Sequence, residues 1–411
     1  MDEKSYLKTV TKIGVIADIQ YCDEDDGTSF DGSEIRRYRE ALNVTKRAAK
    51  TFENFQVGAV LQLGDAIDGK SKSNFKRDFC DRICPILEIP VVKANDDVGA
   101  FTPSVIPRMD VMGNHELYCA TREKLSTILN DYDKDRNLLC YSKVIGNGRW
   151  RLIVLDSYGV SLLGHGSDER DSSRLKEAES IMKINNPNML RKGEKVDWFE
   201  GLTRDKYRFV SYNGAIGKVQ LDWLKQELKE SWDEKQYVVI FSHVPMSNQK
   251  GNYPISLHWD LEEVQKLIKQ NGSHVVACIG GHRHSFDYEY NDEFGTNCHH
   301  LDVPSPLVAP VGGEAHAIFE FSVRNLPVVK DELKNNLNTD NTSEIVETDL
   351  PLLNDSPTSQ LDEKLVYYDG KLFKNETHVV CDKNNEVGMI IVHGFGEMPS
   401  LMVLPKEKPE W

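Results

Sequence analysis

Short apolar runs alternate with amphipathic stretches over the first three-quarters of the chain. "IGVIAD", ending in Asp18, reads as a buried strand. After a loop comes "EIRRYREALNVTKRAAKTFENF", in which Tyr38, Leu42, Thr45, Ala49 and Phe52 recur at three- and four-residue spacing. That spacing predicts a helix laid against a sheet. "VGAVLQLGD" and "DVMGNHE" are the next strands, separated by an insertion over 70–105 rich in Pro, Gly and charge. "RWRLIVLDS" follows, and then a polar stretch from Gly164 to Asn213, within a cap-like insertion over 160–213. "VQLDWLKQELKE" is helical, with Leu221, Leu224 and Leu228 on one face. "YVVIFSHVP" and "HVVACIGGHRH" are strands flanking the helix "DLEEVQKLIKQNG".

Beyond Asn325 the character changes. Residues 325–364 are acidic, rich in Asn, Ser and Thr and nearly free of aromatics, which predicts a mobile insertion. Strand-like alternation returns over 365–405, in "KLVYYDGKLF" and "VGMIIVHGFGEMPSLMVLP". With no internal repeat, residues 1–411 read as one α/β domain with insertions.

The position of the polar residues matters more than the count of elements. "IAD", "LGD", "MGNHE", "FSHVP" and "IGGHRH" each put Asp, Asn or His where an apolar strand stops. Sites in open α/β sheets form beyond the carboxyl ends of the strands. Five separate loops delivering such residues to one edge is the pattern of a single site assembled across a sheet.

Composition narrows what that site serves. Of 411 residues, 39% are hydrophobic and 28% charged, as in a globular protein with a sizeable core. The net charge of −15 argues against a non-specific nucleic-acid binder, but not against a small anion held by metal ions. The start, "MDEKSYLKTVTK", lacks the apolar core of a signal peptide, and no apolar run is long enough to span a membrane. The eight cysteines are scattered; Cys80 and Cys84, the tightest pair, fit one helix face as buried free thiols better than they fit a zinc site. The expected setting is therefore the cytoplasm, with a small-molecule substrate, no nucleic acid and no membrane.

The candidate ligands are Asp18, Gln20, Asp65, Asn114, His243, His282 and His284. All but Gln20 are conventional donors for hard or borderline divalent ions. A carboxylate can bridge two ions, and Asp65 in "GDAIDG" is suited to it; two such ions clamp the oxygens of an in-line phosphoryl displacement. Each motif alone has a plainer reading: "GD" with "DG" as a turn, "GNHE" as a loop, "GGHRH" as a hairpin, His243 as a packed histidine. Their conjunction, in this order and all at strand ends, favours the metal site.

Together "ADIQ", "GDAIDG", "GNHE", "SH" and "GHRH" resemble the calcineurin-like metallophosphoesterase superfamily. Within it, "VIADIQYCDEDDGTSFDG", "RRYREAL", "YRFVSYNGAIGKVQLDWL" and "HHLDVPSPL" are similar to the manganese-dependent ADP-ribose/CDP-alcohol diphosphatases. The resemblance implies a two-sheet β-sandwich core flanked by helices, and two divalent ions, Mn2+ with Mg2+ as a substitute. It implies one ion on Asp18, Gln20, Asp65 and His284 and the other on Asp65, Asn114, His243 and His282. His115 is then an acid for the leaving phosphate oxygen, and Asp68 a residue that orients. The implied reaction is hydroxide attack on the pyrophosphate of ADP-ribose or of a CDP-alcohol (CDP-choline, CDP-ethanolamine or CDP-glycerol), releasing AMP or CMP. A cyclic-nucleotide phosphodiesterase on the same fold is the alternative, and a metal-free binding scaffold a more distant one.

For the substrate side, Phe30 offers a ring to stack on a base, with loop packing as the plainer reading. Arg37 and Arg39 offer charge to phosphate, against the plainer reading of solvated helix residues. Asn213 and Gly214 suit a close backbone approach to a ligand, which turn chemistry explains equally well. Gln20 gives a neutral amide oxygen where imidazole is usual, so the expectation is a more weakly held ion and dependence on added Mn2+.

Overall fold

The computed structural model describes residues 10–403, apart from 30–31, 96–99, 192–195, 248–253, 273, 291–295, 330–364, 369–370 and 375–378. The acidic segment and Phe30 thus lie outside the described residues, except that 325–329 continue a strand.

Two six-stranded sheets carry the fold. Their strands are β1 (Lys12–Ile16), β2 (Ala59–Gln62), β3 (Arg108–Asp110), β4 (Tyr141–Ile145), β5 (Trp150–Leu155) and β6 (Tyr237–Ser242). Then come β7 (Val275–Gly280), β8 (Asp287–Tyr290), β9 (His299–Asp302), β10 (Ala315–Val329), β11 (Val379–Gly396) and β12 (Leu401–Val403). The first sheet runs β12-β11-β10-β1-β2-β3 and the second β8-β9-β7-β6-β5-β4. In the first sheet one half is parallel, β1 with β2 and β2 with β3, and in the second the centre is parallel, β5 with β6, β6 with β7 and β7 with β9. Antiparallel pairing adds β10, β11 and β12 to one side of the first sheet, and β4 and β8 to the two edges of the second.

The sheets pack face to face. Ile13, Val15, Leu61, Leu152, Val154, Val239, Phe241 and Ile279 from both share one apolar core. Their alternate neighbours face helices. Ile16 and Val60 meet α1 (Tyr38–Asn54), while Ile153, Val238, Ile240 and Cys278 lie against α4 (Gly217–Asp233) and α5 (Leu261–Asn271). Two further helices, α2 (Asn114–Cys119) and α3 (Glu169–Asn185), complete the set used below. Central strands are covered on both faces, which is why they read as unbroken apolar runs. The outcome is the helix-flanked two-sheet sandwich that the resemblance implied.

Helix α1 shows how the sequence sets the contact. Its buried residues are Tyr38, Ala41, Val44, Thr45, Ala48 and Phe52, so the buried stripe is wider than the expected one and Leu42 and Ala49 fall on its margin. Phe52 lies on Gly14 of β1, where a Cβ would come within 2.6 Å of the ring. Burying that ring contributes about 2–3 kcal/mol. Cys80 and Cys84 are free thiols four residues apart, on the helical segments Lys76–Ile83 and Cys84–Leu87. Among the described residues no helix is long and apolar enough to cross a membrane.

Candidate metal centre

The parallel strands β1, β2, β3, β6 and β7 end at one edge, and the loops leaving them converge. Asp18 and Gln20 follow β1, Asp65 follows β2, Asn114 opens α2 after β3, His243 follows β6, and His282 and His284 follow β7. All seven candidate ligands come together. Asp18, Gln20, Asp65 and His243 are almost wholly inaccessible, and Asn114 and His284 are buried.

Asp65 joins two groups of donors. On one side its Oδ2 lies 3.3 Å from the Gln20 amide, which in turn is 2.8 Å from His284 Nε2. Asp18 Oδ1 completes that group at 3.7 Å from His284 Nε2. On the other side Asp65 Oδ2 is 3.3 Å from His243 Nε2, which is 3.2 Å from both Asn114 Oδ1 and His282 Nδ1. These spacings are those of donor atoms turned toward common points.

The backbone is bent to achieve this. Asp18, Gln20, Asp65, His282 and His284 have φ of 49°, 44°, 56°, 68° and 63°, in the left-handed region that side-chain-bearing residues rarely adopt. Each costs of order 1 kcal/mol, and such strain persists where the surroundings hold it. Two motif glycines answer a different need, space. A Cβ on Gly113 would lie 2.1 Å from Asp65 Oδ1, and one on Gly281 2.4 Å from Asp18 Oδ2.

Neighbouring groups fix each imidazole. His243 Nδ1 meets the Leu63 carbonyl at 2.8 Å, which puts the proton on Nδ1 and leaves the Nε2 lone pair facing the centre. His282 Nε2 meets Asn213 Oδ1 at 2.9 Å, leaving Nδ1 for the centre. His284 Nδ1 is 3.0 Å from Glu34 Oε2, leaving Nε2. The Tyr158 hydroxyl is 3.0 Å from Asn114 Oδ1, and the Ser305 hydroxyl donates to the Asp18 carbonyl at 2.6 Å.

Three tests on these residues favour a cation. Asp18 Oδ1 and Gln20 Oε1 are buried with no hydrogen-bond partner among the described residues. An amide oxygen without a donor suits a metal, and half a turn of the amide exchanges its oxygen and nitrogen. The donor atoms of Asp65, His243 and His282 also lie within 4.8 Å of one another. Charge agrees with this. Burial pushes the Asp18 carboxyl up, and His243 and His284 only partly offset it. Burial also acts on Asp65, yet His243 and His115 hold its carboxyl below the ordinary value. Burial works against a charged His243, but Asp65 and Asp18 raise it to about 10, so the carboxylates demand positive charge at the centre.

His115 stands at the margin. Its Nε2 is 3.8 Å from Asp65 Oδ2, and its backbone N–H donates to Asp65 Oδ1 at 2.8 Å. The Gly69 N–H donates to its Nδ1 at 2.8 Å, which leaves the proton of the neutral ring on Nε2, toward the centre. Asp68 Oδ2 lies 3.3 Å from the same Nδ1. Burial opposes the charged ring, but Asp65 and Asp68 outweigh it and His115 sits above the ordinary imidazole value.

The substrate-side residues are divided. Asn213 is fully buried against His282, its amide donating to the Arg208 and Ile255 carbonyls. Gly214 packs so tightly that a Cβ would lie 2.5 Å from the Ser157 carbonyl. Arg37 donates to the Val308 and Ala309 carbonyls, and Arg39 forms exposed ion pairs with Asp23 and Asp25; neither joins the donor cluster. Arg36 is half-buried, its charge acts on Asp68 and Tyr118, and its Nε has no hydrogen-bond partner among the described residues.

Glu116 was not singled out from the sequence, although it stands in "GNHE". Its carboxylate accepts from the backbone N–H groups of Asp65, Ala66 and Gly113 at 2.9, 2.7 and 3.0 Å, tying two ligand loops together. Tyr212 adds an aromatic wall, its ring centroid 5.7 Å from His282 and 6.2 Å from the partly exposed Trp198.

Comparison with known proteins agrees with this geometry. The family model for calcineurin-like phosphoesterases matches residues 11–286. A manganese-dependent ADP-ribose/CDP-alcohol diphosphatase of Arabidopsis thaliana is 31% identical over 300 residues, 73% of this chain and 87% of its own. The protein of that name from Oryza sativa subsp. japonica is 32% identical over 309 residues, 75% of this chain and 87% of its own. The human one is 28% identical over 69% and 79% of the two chains. A dimetal phosphatase from Danio rerio superposes with a TM-score of 0.65, covering 97% of this chain and 100% of its own at 20% identity, which speaks to the fold.

Proposed function

The chain belongs to the calcineurin-like phosphoesterase family and is a metal-dependent phosphoesterase; on that premise we propose that it hydrolyses the pyrophosphate of ADP-ribose and of CDP-alcohols with Mn2+ as cofactor. ADP-ribose would yield AMP and ribose 5-phosphate, and CDP-choline would yield CMP and phosphocholine. The observation that carries the reading is the donor cluster centred on Asp65, in a chain about three-quarters of which is similar to diphosphatases of that name.

Asp18, Gln20, Asp65 and His284 would hold one ion, and Asp65, Asn114, His243 and His282 the other. Two divalent ions supply Lewis acidity to phosphoryl oxygens and lower the pKa of water. The protein's part is to hold and orient. Asp65 offers one carboxylate to both groups of donors. Glu116 keeps the Asp65 and Gly113 loops in register, and Asn213 and Glu34 hold His282 and His284 in the donor tautomer. His115 turns Nε2 toward the centre, which suits the protonated ring to protonate the departing phosphate oxygen, and Asp68 would steady the charge of that imidazolium. Arg36, on the same margin, is suited to meet a phosphate that is not being attacked.

A substrate panel with Mn2+ and Mg2+ in parallel tests this. ADP-ribose and CDP-choline are expected to release nucleoside monophosphate faster with Mn2+, and both faster than cyclic AMP or a phosphopeptide. Preference for the phosphopeptide, or for cyclic AMP, would overturn the substrate assignment.

A further inference from the structure

A second group of metal-type donors lies away from this centre. Cys278 is on β7, His300 on β9, and the parallel register of those strands pairs Cys278 with His300. Cys298, two residues before His300, lies at the bend that leads into β9 and turns its sulfur toward the His300 ring. All three are buried, with exposures of 2%, 0% and 2%. The two thiols belong to the apolar layer beneath α4 and α5, on the face of the second sheet that turns away from the first. They share no donor with the centre around Asp65.

The distances are specific. Cys278 Sγ is 3.8 Å from Cys298 Sγ, and Cys298 Sγ is 3.5 Å from His300 Nε2. The three donor atoms all lie within 4.8 Å of one another. In a tetrahedral zinc site, Zn–S of about 2.3 Å and Zn–N of about 2.0–2.1 Å give edges of about 3.8 Å between sulfurs and about 3.5 Å between sulfur and nitrogen. Both measured edges match. A disulfide would need the sulfurs at about 2.05 Å and has no use for the imidazole.

We propose that Cys278, Cys298 and His300 form a structural Zn2+ site that ties β7 to β9 beneath α5. Two thiolates and one neutral imidazole around Zn2+ carry no net charge, so the complex tolerates the apolar layer that a lone thiolate would not. Binding releases the two thiol protons to solvent and leaves one coordination position for a water or another oxygen. The ion would be acquired during folding, since all three donors are covered in the finished structure.

The test uses the full chain, unfolded under reductant with a chelator to strip its metal and refolded in the presence of Co2+. The centre around Asp65 has only oxygen and nitrogen donors and gives no sulfur-to-cobalt charge transfer. The expected result is a near-ultraviolet thiolate-to-Co2+ band that Zn2+ abolishes, that persists in Asp65→Ala, and that is lost in Cys278→Ser and in Cys298→Ser. Direct metal analysis should find one tightly held zinc per chain after exchange with excess Mn2+. A cobalt-loaded wild-type chain without that band overturns the site by itself, whatever the folding of the variants. So does recovery of Cys278 and Cys298 as a disulfide from reduced, folded protein.

Discussion

Gln20 and Asn213 are two amides that serve one centre differently. Gln20 turns its own amide toward the donors, while Asn213 reaches them only through His282. Replacing Gln20 by His restores a stronger donor, so the Mn2+ concentration for half-activation should fall roughly tenfold, as titration of the metal-stripped protein would show. Asn213→Ala frees the His282 ring and should weaken Mn2+ binding about 10–100-fold, with turnover largely recovered at saturating metal. A uniform loss of turnover at every Mn2+ concentration would instead make Asn213 a substrate contact. His115→Asn is expected to lower kcat on CDP-choline about 10²–10⁴-fold. A nitrophenyl ester, whose leaving group needs no proton, should suffer far less; equal losses would remove the acid role. At this scale the clustering of the seven side chains was legible because they follow the ends of apolar runs. Of the residues that act through another side chain, the resemblance implied an orienting part for Asp68, but Asn213 was read toward a ligand and Glu34 was not read at all, because their partners are distant in sequence: Asn213 is 69 residues from His282, and Glu34 is 250 from His284. The arginines show a related blindness. Three occur within four residues, and only the turn into α1 decides that Arg36 rather than Arg37 or Arg39 meets the site's margin.

Between elements, the centre depends on loops that no single strand holds. The carboxylate of Glu116, on α2, receives three N–H groups from the loops after β2 and β3. Glu116→Gln keeps one acceptor oxygen but sets an N–H donor against the backbone N–H groups that bonded the other. Each buried donor so deprived costs about 1–3 kcal/mol, so the metal-free protein should lose roughly 2–4 kcal/mol in denaturant unfolding. Mn2+ affinity should fall with it, because Asp65 is no longer fixed; an unchanged stability would mean that water replaces the carboxylate. The strands and α1, α4 and α5 were legible because two-sided burial gives unbroken apolar runs and one-sided burial gives helical spacing. Their division between two sheets was not, since β2 and β5 read alike. Helix α3 was passed over as a polar stretch because only Asp171, Ala178 and Met182 are buried along its length. Three positions are too few to set a period.

Across the whole molecule, the outer layers carry histidines that the site does not use. His316, on β10, lies under α1 with its ring stacked 4.7 Å from Phe395 and edge-on 5.4 Å from Phe52. Burial, with Arg47 nearby, pushes it down to about 3. His274 precedes β7 beside Ser231 and Trp232, and burial pushes it down to about 4. Both are neutral in the folded protein where the unfolded chain, with an imidazole near 6.5, already binds a proton. As pH falls below 6.5 the unfolded state therefore takes up protons that the native state refuses, and stability drops. The fall continues until about pH 4 for His274 and about pH 3 for His316. Each group contributes about 1.4 kcal/mol per pH unit in that window. Together they remove several kcal/mol by pH 5, against a total of about 5–15 kcal/mol for an ordinary domain. The metal-stripped protein should thus unfold in markedly less urea at pH 5 than at pH 7. His316→Phe keeps an aromatic ring between Phe52 and Phe395 but cannot be protonated, so its pH slope over that range should be shallower than the wild type's by about 1.4 kcal/mol per pH unit. If the two slopes coincide, the acid sensitivity arises elsewhere, and the layer under α1 is not where protonation opens the fold.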